Sequence, residues 1–273
     1  MLVLIVGASG FLGSKFFDSL KDKYEVVGSY QSRPSSDLIQ LDISNRDQVQ
    51  KILGATRPDI LINCGGMTRP DECELDPKRA YAVNVNGAIN LSDFSNCKIV
   101  YFSTDYVFDG QKEYYSENDE PHPINIYGQT KLEAERIVLH EGRNLVVRVS
   151  GIYGFNQRNN EFLDSLSSPF IFKANDCYAS SILLDDIVNN WPFLVSASGL
   201  YHLTDGRRLS RFDFASKAVR VLELDSKVVP KSANELYKIA RRPKESTLVT
   251  IKHKLLIKNE DDGLMQLKSK MKG

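Results

Sequence analysis

A doubly wound α/β fold on a mainly parallel sheet (a Rossmann-type architecture) with a smaller second lobe is the class this sequence predicts, and three observations predict it. Short apolar runs alternate with amphipathic segments through the first half of the chain. Those runs are too continuously apolar for a sheet with one face in water. The first of them leads directly into a glycine-rich turn, G-A-S-G-F-L-G (Gly7 to Gly13), followed by a helical pattern.

In chain order, Leu2 to Val6 reads as the first buried strand and Leu12 to Lys23 as the helix after the turn. Strands follow at Val26 to Tyr30, Ile60 to Asn63, Ile99 to Ser103 and Leu145 to Val149, interleaved with helices at Arg46 to Thr56, Pro77 to Phe94 and Ile126 to Glu141. The pattern then loosens: residues 155–177 are polar and irregular, with Asn156, Asn159, Asn160 and Pro169. S-I-L-L-D-D-I-V-N-N-W reads as a short strand and a helix, and Gly199 to Thr204 as another strand, so the stretch is expected to rejoin the main sheet. Ser210 can cap a helix carrying Phe212, Phe214, Ala218 and Leu222. The expected division is a dinucleotide-binding domain over 1–154, with 178–204 returning to it, and a smaller lobe from 155–177 and 205–273. The lysine-rich end, K-S-K-M-K-G, is expected to be a solvated, frayed terminus.

Composition narrows the function classes. With 42% hydrophobic and 26% charged residues the chain is neither disordered nor fibrous. Its 35 basic and 35 acidic residues cancel, which argues against nucleic acid or an anionic membrane as partner and for a local binding site. Cys64, Cys73, Cys97 and Cys177 form no C-x-x-C pair and the histidines are scattered, so no metal site or disulfide framework is indicated and a cytoplasmic location is expected. The apolar start, M-L-V-L-I-V, is too short for a signal peptide or a membrane span.

The glycine turn carries the first chemistry. Glycines let the backbone turn tightly and approach a pyrophosphate, whose charge rests at the helix start, so Gly7, Ser9, Gly10, Phe11 and Leu12 are expected to hold a dinucleotide. An NAD-selective site would place an acid at the end of the second strand. The chain instead has Ser29, Tyr30, Gln31, Ser32 and Arg33, and Arg33 suits the 2′-phosphate of NADP. NADPH is therefore the expected cofactor, with NADH possible. Asp42 and Ile43 can flank the adenine, although Asp42 can equally cap a turn with Ser44. Cys64, Gly65 and Gly66 end the third strand and would let ribose and nicotinamide pass close to the backbone. No histidine is positioned to activate Cys64, so packing is its expected role.

The second site is for protons. Tyr127 and Lys131, in Y-G-Q-T-K, are four residues apart and share a helix face, with Ser103, Thr104 and Asp105 at the end of the preceding strand. A nearby cation favours phenolate, each pKa unit representing roughly 1.4 kcal/mol, so Lys131 is expected to tune Tyr127 toward neutrality. Tyr and Lys at this spacing also occur together on ordinary solvated helix faces.

With these motifs in this order, and with S-T-D-Y-V-F-D-G (Ser103 to Gly110), R-V-S-G-I-Y-G (Arg148 to Gly154) and A-R-R-P-K-E-S (Ala240 to Ser246), the chain resembles the extended short-chain dehydrogenase/reductase superfamily. Within it, the similarity is greatest to the dTDP-4-dehydrorhamnose reductase family. That resemblance implies reduction of a sugar ketone on a nucleotide-sugar substrate, with Tyr127 as proton donor, Thr104 on the same oxygen, and Lys131 on the nicotinamide ribose. It also implies a sugar pocket lined by Met67, Thr68, Thr104, Asp105 and Tyr106. Arg241 and Arg242 are candidates for the diphosphate, and since adjacent side chains rarely face the same way, one of them is expected to serve and the other to be solvated. Gly151 stands where the family often has tryptophan, so one pocket wall is open or supplied from elsewhere. Some family members dimerise through a carboxylate-bound metal, but N-E-D-D-G-L (Asn259 to Leu264) does not align with those ligands, leaving monomer or homodimer open. A second resemblance, through R-P-D at Arg69 to Asp71, is to the beta subunit of methionine adenosyltransferase, and implies a non-catalytic regulatory role.

Overall fold

The computed structural model describes every residue except 253, 254, 256 and 273. Strand β1 (Leu2–Val6) runs through the glycine turn into α1 (Phe11–Leu20), and β2 (Glu25–Tyr30) leads to a short edge strand, β3 (Leu38–Gln40). Helix α2 (Arg46–Thr56) returns the chain to β4 (Ile60–Asn63). Asn45 caps α2 by accepting from the Gln48 N–H at 3.1 Å. The next connection contains α3 (Pro70–Leu75) and α4 (Pro77–Tyr81), then a π-helical turn (Ala82–Asn86) that continues into α5 (Gly87–Phe94).

Strand β5 (Lys98–Thr104), α6 (Ile126–His140) and β6 (Leu145–Val149) complete the central part, and β11 (Gly199–Leu203) pairs outside β6. Between β6 and β11 lie β7 (Ile152–Tyr153), α7 (Glu161–Asp164), β8 (Phe170–Ala174), β9 (Tyr178–Ala179), β10 (Ile182–Leu183), α8 (Leu184–Asn189) and α9 (Trp191–Ser196). The chain ends with β12 (Leu209–Ser210), α10 (Arg211–Leu222), β13 (Lys227–Lys231), α11 (Ala233–Leu236) and α12 (Glu260–Lys272).

The main sheet has seven strands in the order β11-β6-β5-β4-β1-β2-β3, all parallel. Chain direction across the sheet reverses between β1 and β4, which opens a crevice at their carboxyl ends. Alternate residues of the buried strands face two separate cores. Val3 and Ile5 of β1 pack with Phe16 of α1 and Trp191 of α9, whereas Leu4 and Val6 pack with Val49 of α2, Leu91 of α5 and Ala134 of α6. A further cluster joins Tyr153, Leu166, Ile171, Ala218, Leu264 and Leu267, and forms the core of the smaller lobe.

Two expectations need correction. Ile182–Leu183 pairs with Ile152–Tyr153 and not with the main sheet, which of this stretch only Gly199–Leu203 rejoins. The lysine-rich end is not frayed: it is helical to Lys272, because Leu264 and Leu267 are buried and Lys268 and Lys272 both reach Glu223. Gly273 of that motif lies outside the described residues.

Candidate active site

A cleft of about 580 Å³ opens where β1, β4 and β5 end. Gly7 has φ +76°, and a Cβ on it would lie 2.9 Å from the Gly65 backbone. At Gly13 a Cβ would lie 2.2 Å from the Gly7 carbonyl oxygen, so α1 descends directly onto the strand end. No side chain caps α1 at Gly10. The cradle is therefore backbone-walled with a helix start at its floor, which fits the pyrophosphate of a dinucleotide. Ser9, Gly10, Phe11 and Leu12 line it, and Cys64, Gly65 and Gly66 form the opposite wall.

At one end of the cleft Gln31, Ser32 and Arg33 face Asp42 and Ile43. Arg33 is exposed, with no acid at the end of β2 to oppose an anion. The Asp42 carboxylate accepts from the Ser44 N–H at 2.9 Å and from its hydroxyl at 2.7 Å, so the local turn uses one carboxylate oxygen while the residue still borders the cleft.

At the other end stand Ser103, Tyr127 and Lys131, with Met67 and Thr68 across from them. Asn125 caps α6 by accepting from the Gly128 N–H at 2.8 Å, which sets Tyr127 in the first turn. Gly128 is required there, because a Cβ would lie 2.1 Å from the Tyr106 carbonyl oxygen. The Thr104 side chain lies beside the Tyr127 phenol. Burial pushes the Tyr127 phenol well above its usual range, and the Thr104 contact offsets only part of that.

The expected role of Lys131 as the cation that lowers Tyr127 is corrected by its geometry. Its Nζ donates to the Phe102 carbonyl at 2.6 Å and lies 4.0 Å from the centre of the Tyr101 ring. Burial lowers the Lys131 pKa to about 8. Cys64 agrees with a packing role, since burial pushes its thiol far up. Ser103 Oγ is buried at the cleft wall with no partner among the described residues, which leaves a polar atom for a bound molecule to satisfy.

Thr104, Asp105 and Tyr106 lie just behind this wall. Thr104 Oγ1 donates to Asp105 at 3.1 Å and accepts from the Tyr106 N–H at 3.2 Å, while Asp105 also accepts from Ser150 Oγ at 2.9 Å. The Tyr106 ring meets the Tyr127 ring edge-on at 5.7 Å. The Tyr106 hydroxyl accepts from Arg211 at 2.8 Å, and so links the first cleft to a second cavity of about 190 Å³.

That second cavity is bordered by Gly151, Phe162, Lys173, Arg211, Phe214 and Tyr237. Burial, and then Arg211, lowers the Lys173 pKa, so two cationic side chains converge on a site with aromatic walls. Sequence reasoning missed Lys173 and Arg211, which belong to separate elements that only the folded small lobe brings together. The available signal was the cluster of aromatic and cationic residues from Phe162 to Phe214. Gly151 borders this cavity and not the first cleft.

Arg241 is exposed and borders neither cavity; its carbonyl accepts from Asn125 Nδ2 at 2.8 Å. Its neighbour Arg242 instead pairs with Asp71 at 3.0 Å. Among the described residues no group of His, Cys, Asp and Glu is arranged to hold a metal ion. No helix among them is long and apolar enough to cross a membrane.

The comparisons with known proteins agree with this geometry. The family model described as RmlD substrate binding domain matches residues 1–168 and 181–262. A dTDP-4-dehydrorhamnose reductase from Aggregatibacter actinomycetemcomitans is 32% identical, over 90% of this chain and 90% of its own length. Methionine adenosyltransferase 2 subunit beta of Danio rerio is 25% identical, over 93% and 84%. The crystal structure of dTDP-4-dehydrorhamnose reductase from Bacillus anthracis in complex with NADP superimposes with a TM-score of 0.89 and 30% identity, covering 98% of this chain and 99% of that one.

Proposed function

We propose, from the premise that this chain belongs to the family of the RmlD substrate binding domain within the extended short-chain dehydrogenase/reductases, that it reduces the C4 ketone of dTDP-4-dehydro-6-deoxy-L-mannose to dTDP-L-rhamnose with NADPH. The observation that carries the reading is the buried Tyr127 phenol, with Thr104 beside it, at the inner end of a glycine-walled cleft.

When bound, NADPH supplies the hydride to the ketone carbon. Tyr127, buried and kept neutral, donates its phenolic proton to the oxygen on which negative charge develops. The Thr104 hydroxyl, beside that phenol, would turn from Asp105 to share the same oxygen. Lys131, fixed by the Phe102 carbonyl, presents its remaining N–H donors to the nicotinamide ribose. Met67 and Thr68 border the sugar, Tyr106 backs Tyr127 from behind, and Arg33 meets the 2′-phosphate. Lys173 and Arg211 offer a cationic, aromatic-walled site for the far end of the nucleotide sugar, a better placed pair than Arg241.

The two cores that flank the main sheet favour assigning cofactor binding to residues 1–154 with the 178–204 return, and the third core favours substrate binding by 155–177 and 205–273, with Tyr153 and Leu183 crossing into it. The free cysteines suit the cytoplasm, and monomer or homodimer both suit a site built within one chain.

The test is NADPH oxidation with this dehydro sugar as substrate and Tyr127→Phe as control. Turnover by the wild type and its loss in the variant is the expected result. The likeness to a methionine adenosyltransferase subunit favours a second reading, a cofactor-binding partner subunit without turnover. Tight NADPH binding with no turnover of any dTDP-, GDP- or UDP-linked keto sugar would overturn the first reading and leave the second.

A further inference from the structure

Residues 156–161 leave the small lobe and cross the start of α1 as a strap. Asn156 Nδ2 donates to the Phe11 carbonyl and to the Ser14 hydroxyl, each at 2.7 Å. Arg158 grips two acids, one on α1 and one in the connection between β2 and β3. Its Nε lies 3.0 Å from Asp18 of α1 and its Nη2 lies 2.6 Å from Asp37 in the connection between β2 and β3. The guanidinium also lies over the Phe17 ring, 5.2 Å from its centre. These contacts tie residues 156–158 to α1 and to the connection between β2 and β3.

Asn159 follows Arg158 directly and borders that cleft, as does Glu161. The Asn159 Oδ1 accepts from the Glu161 N–H at 3.1 Å, which fixes which way round the amide sits. Its Nδ2 is thereby committed to another direction, where it is buried with no partner among the described residues. A buried donor without an acceptor is disfavoured, and its position beside the glycine cradle calls for an acceptor oxygen from whatever fills the cleft.

We propose that Asn159 is a ligand of the dinucleotide, donating from Nδ2 to a phosphoryl or ribose oxygen above the start of α1. Arg158 is the latch that holds this ligand in place, so that cofactor exchange requires its ion pairs with Asp18 and Asp37 to open. The inference rests on the dinucleotide reading above.

The experiment is NADPH fluorescence titration with stopped-flow displacement, on the full chain without substrate. Asn159→Leu, which keeps the size and removes the donor, is expected to raise Kd about tenfold or more, as loss of a bond to a charged group does. Asn159→Asp is expected to weaken binding further by placing charge against charge. Arg158→Ala is expected to speed NADPH release several-fold while changing the association rate little. Wild-type release is expected to quicken at high salt, and that salt response is expected to disappear in Arg158→Ala. If Arg158→Ala does not fold, Arg158→Gln carries the same comparison. Unchanged Kd in Asn159→Leu, or unchanged release in the Arg158 variant, overturns the proposal while leaving the cofactor reading intact. A wild type that binds neither NADPH nor NADH overturns both.

Discussion

The Lys131 ammonium donates to the Phe102 carbonyl, 2.6 Å away, and so is fixed to the end of β5 while the Tyr127 ring, one turn earlier on the same helix, packs edge-on against Tyr106. Two residues that share a helix face thus turn to different partners.

The first prediction concerns pH. Burial holds Lys131 at about 8, below its unfolded value, so the unfolded chain binds more protons between about pH 8 and 10.5. The burial penalty is therefore present below pH 8 and is relieved as pH rises through that window. Function moves the other way: NADPH affinity and turnover are expected to fall above about pH 8 as the ammonium is lost. Tyr127, pushed upward, stays neutral there. Lys131→Arg is expected to remove this basic limb in a pH–rate profile even if its overall rate is lower. A limb that persists in the arginine variant would assign it to another group.

Tyr127→Phe is expected to lower kcat by on the order of 10²–10⁴, the usual range for a lost general acid, with NADPH Kd within a few-fold of wild type. Thr104→Val removes the hydroxyl beside the phenol, which is also the acceptor of the Tyr106 N–H. It is expected to reduce kcat and also to cost about 1–3 kcal/mol of stability, read by urea unfolding. Thr104→Ser is expected to restore most of both.

Arg33→Ala is expected to raise Kd for NADPH by roughly tenfold or more while leaving NADH binding nearly unchanged, since a charge-assisted bond to phosphate contributes about 1.5–3 kcal/mol. Calorimetric titration of both cofactors checks it. A tenfold preference of the wild type for NADH would count against the 2′-phosphate role.

Asp205 offers a stability test away from the chemistry. Burial and the neighbouring Glu260 carboxylate raise it to about 7, although the Arg207 N–H works in the opposite direction. A carboxyl raised in the folded state contributes stability that is complete below its unfolded pKa and lost as pH rises through about 7. The melting temperature is therefore expected to fall between about pH 4 and pH 7. Asp205→Asn is expected to flatten that slope, as followed by thermal melts across the range. An unchanged slope would show that other groups set it.

The parts of this molecule that were legible in the sequence are those whose cause is local. The glycine turn, the buried strands and the Tyr127–Lys131 spacing each follow from a few adjacent residues. Strand β3 escaped because Leu38–Gln40 is too short to show a pattern and exists through pairing with β2. The direction of the Lys131 ammonium was not legible either, since shared helix face says nothing of the carbonyl at the end of β5. Lys173, Arg211 and the Arg242–Asp71 pair depend on contacts between distant elements. The terminal helix was misread because its apolar stripe is thin and its lysines look solvated until Glu223 and Asp185 are brought beside them.

The π-helical turn at Ala82–Asn86 takes up one extra residue within the helix. Its Asn84 bonds both the N–H and the carbonyl of Met67, at 2.8 and 3.0 Å, and donates to Thr130 at 3.0 Å. Deleting one residue there would restore regular α winding and leave Ala88 and Leu91 on the sheet face, because the wider turn absorbs one extra residue without changing the phase of the helix beyond it. The loss would fall on the turn itself, where Asn84 would no longer be set against Met67 at the cleft. For anyone redesigning this chain, the extra residue of that helix serves the cleft and not the core.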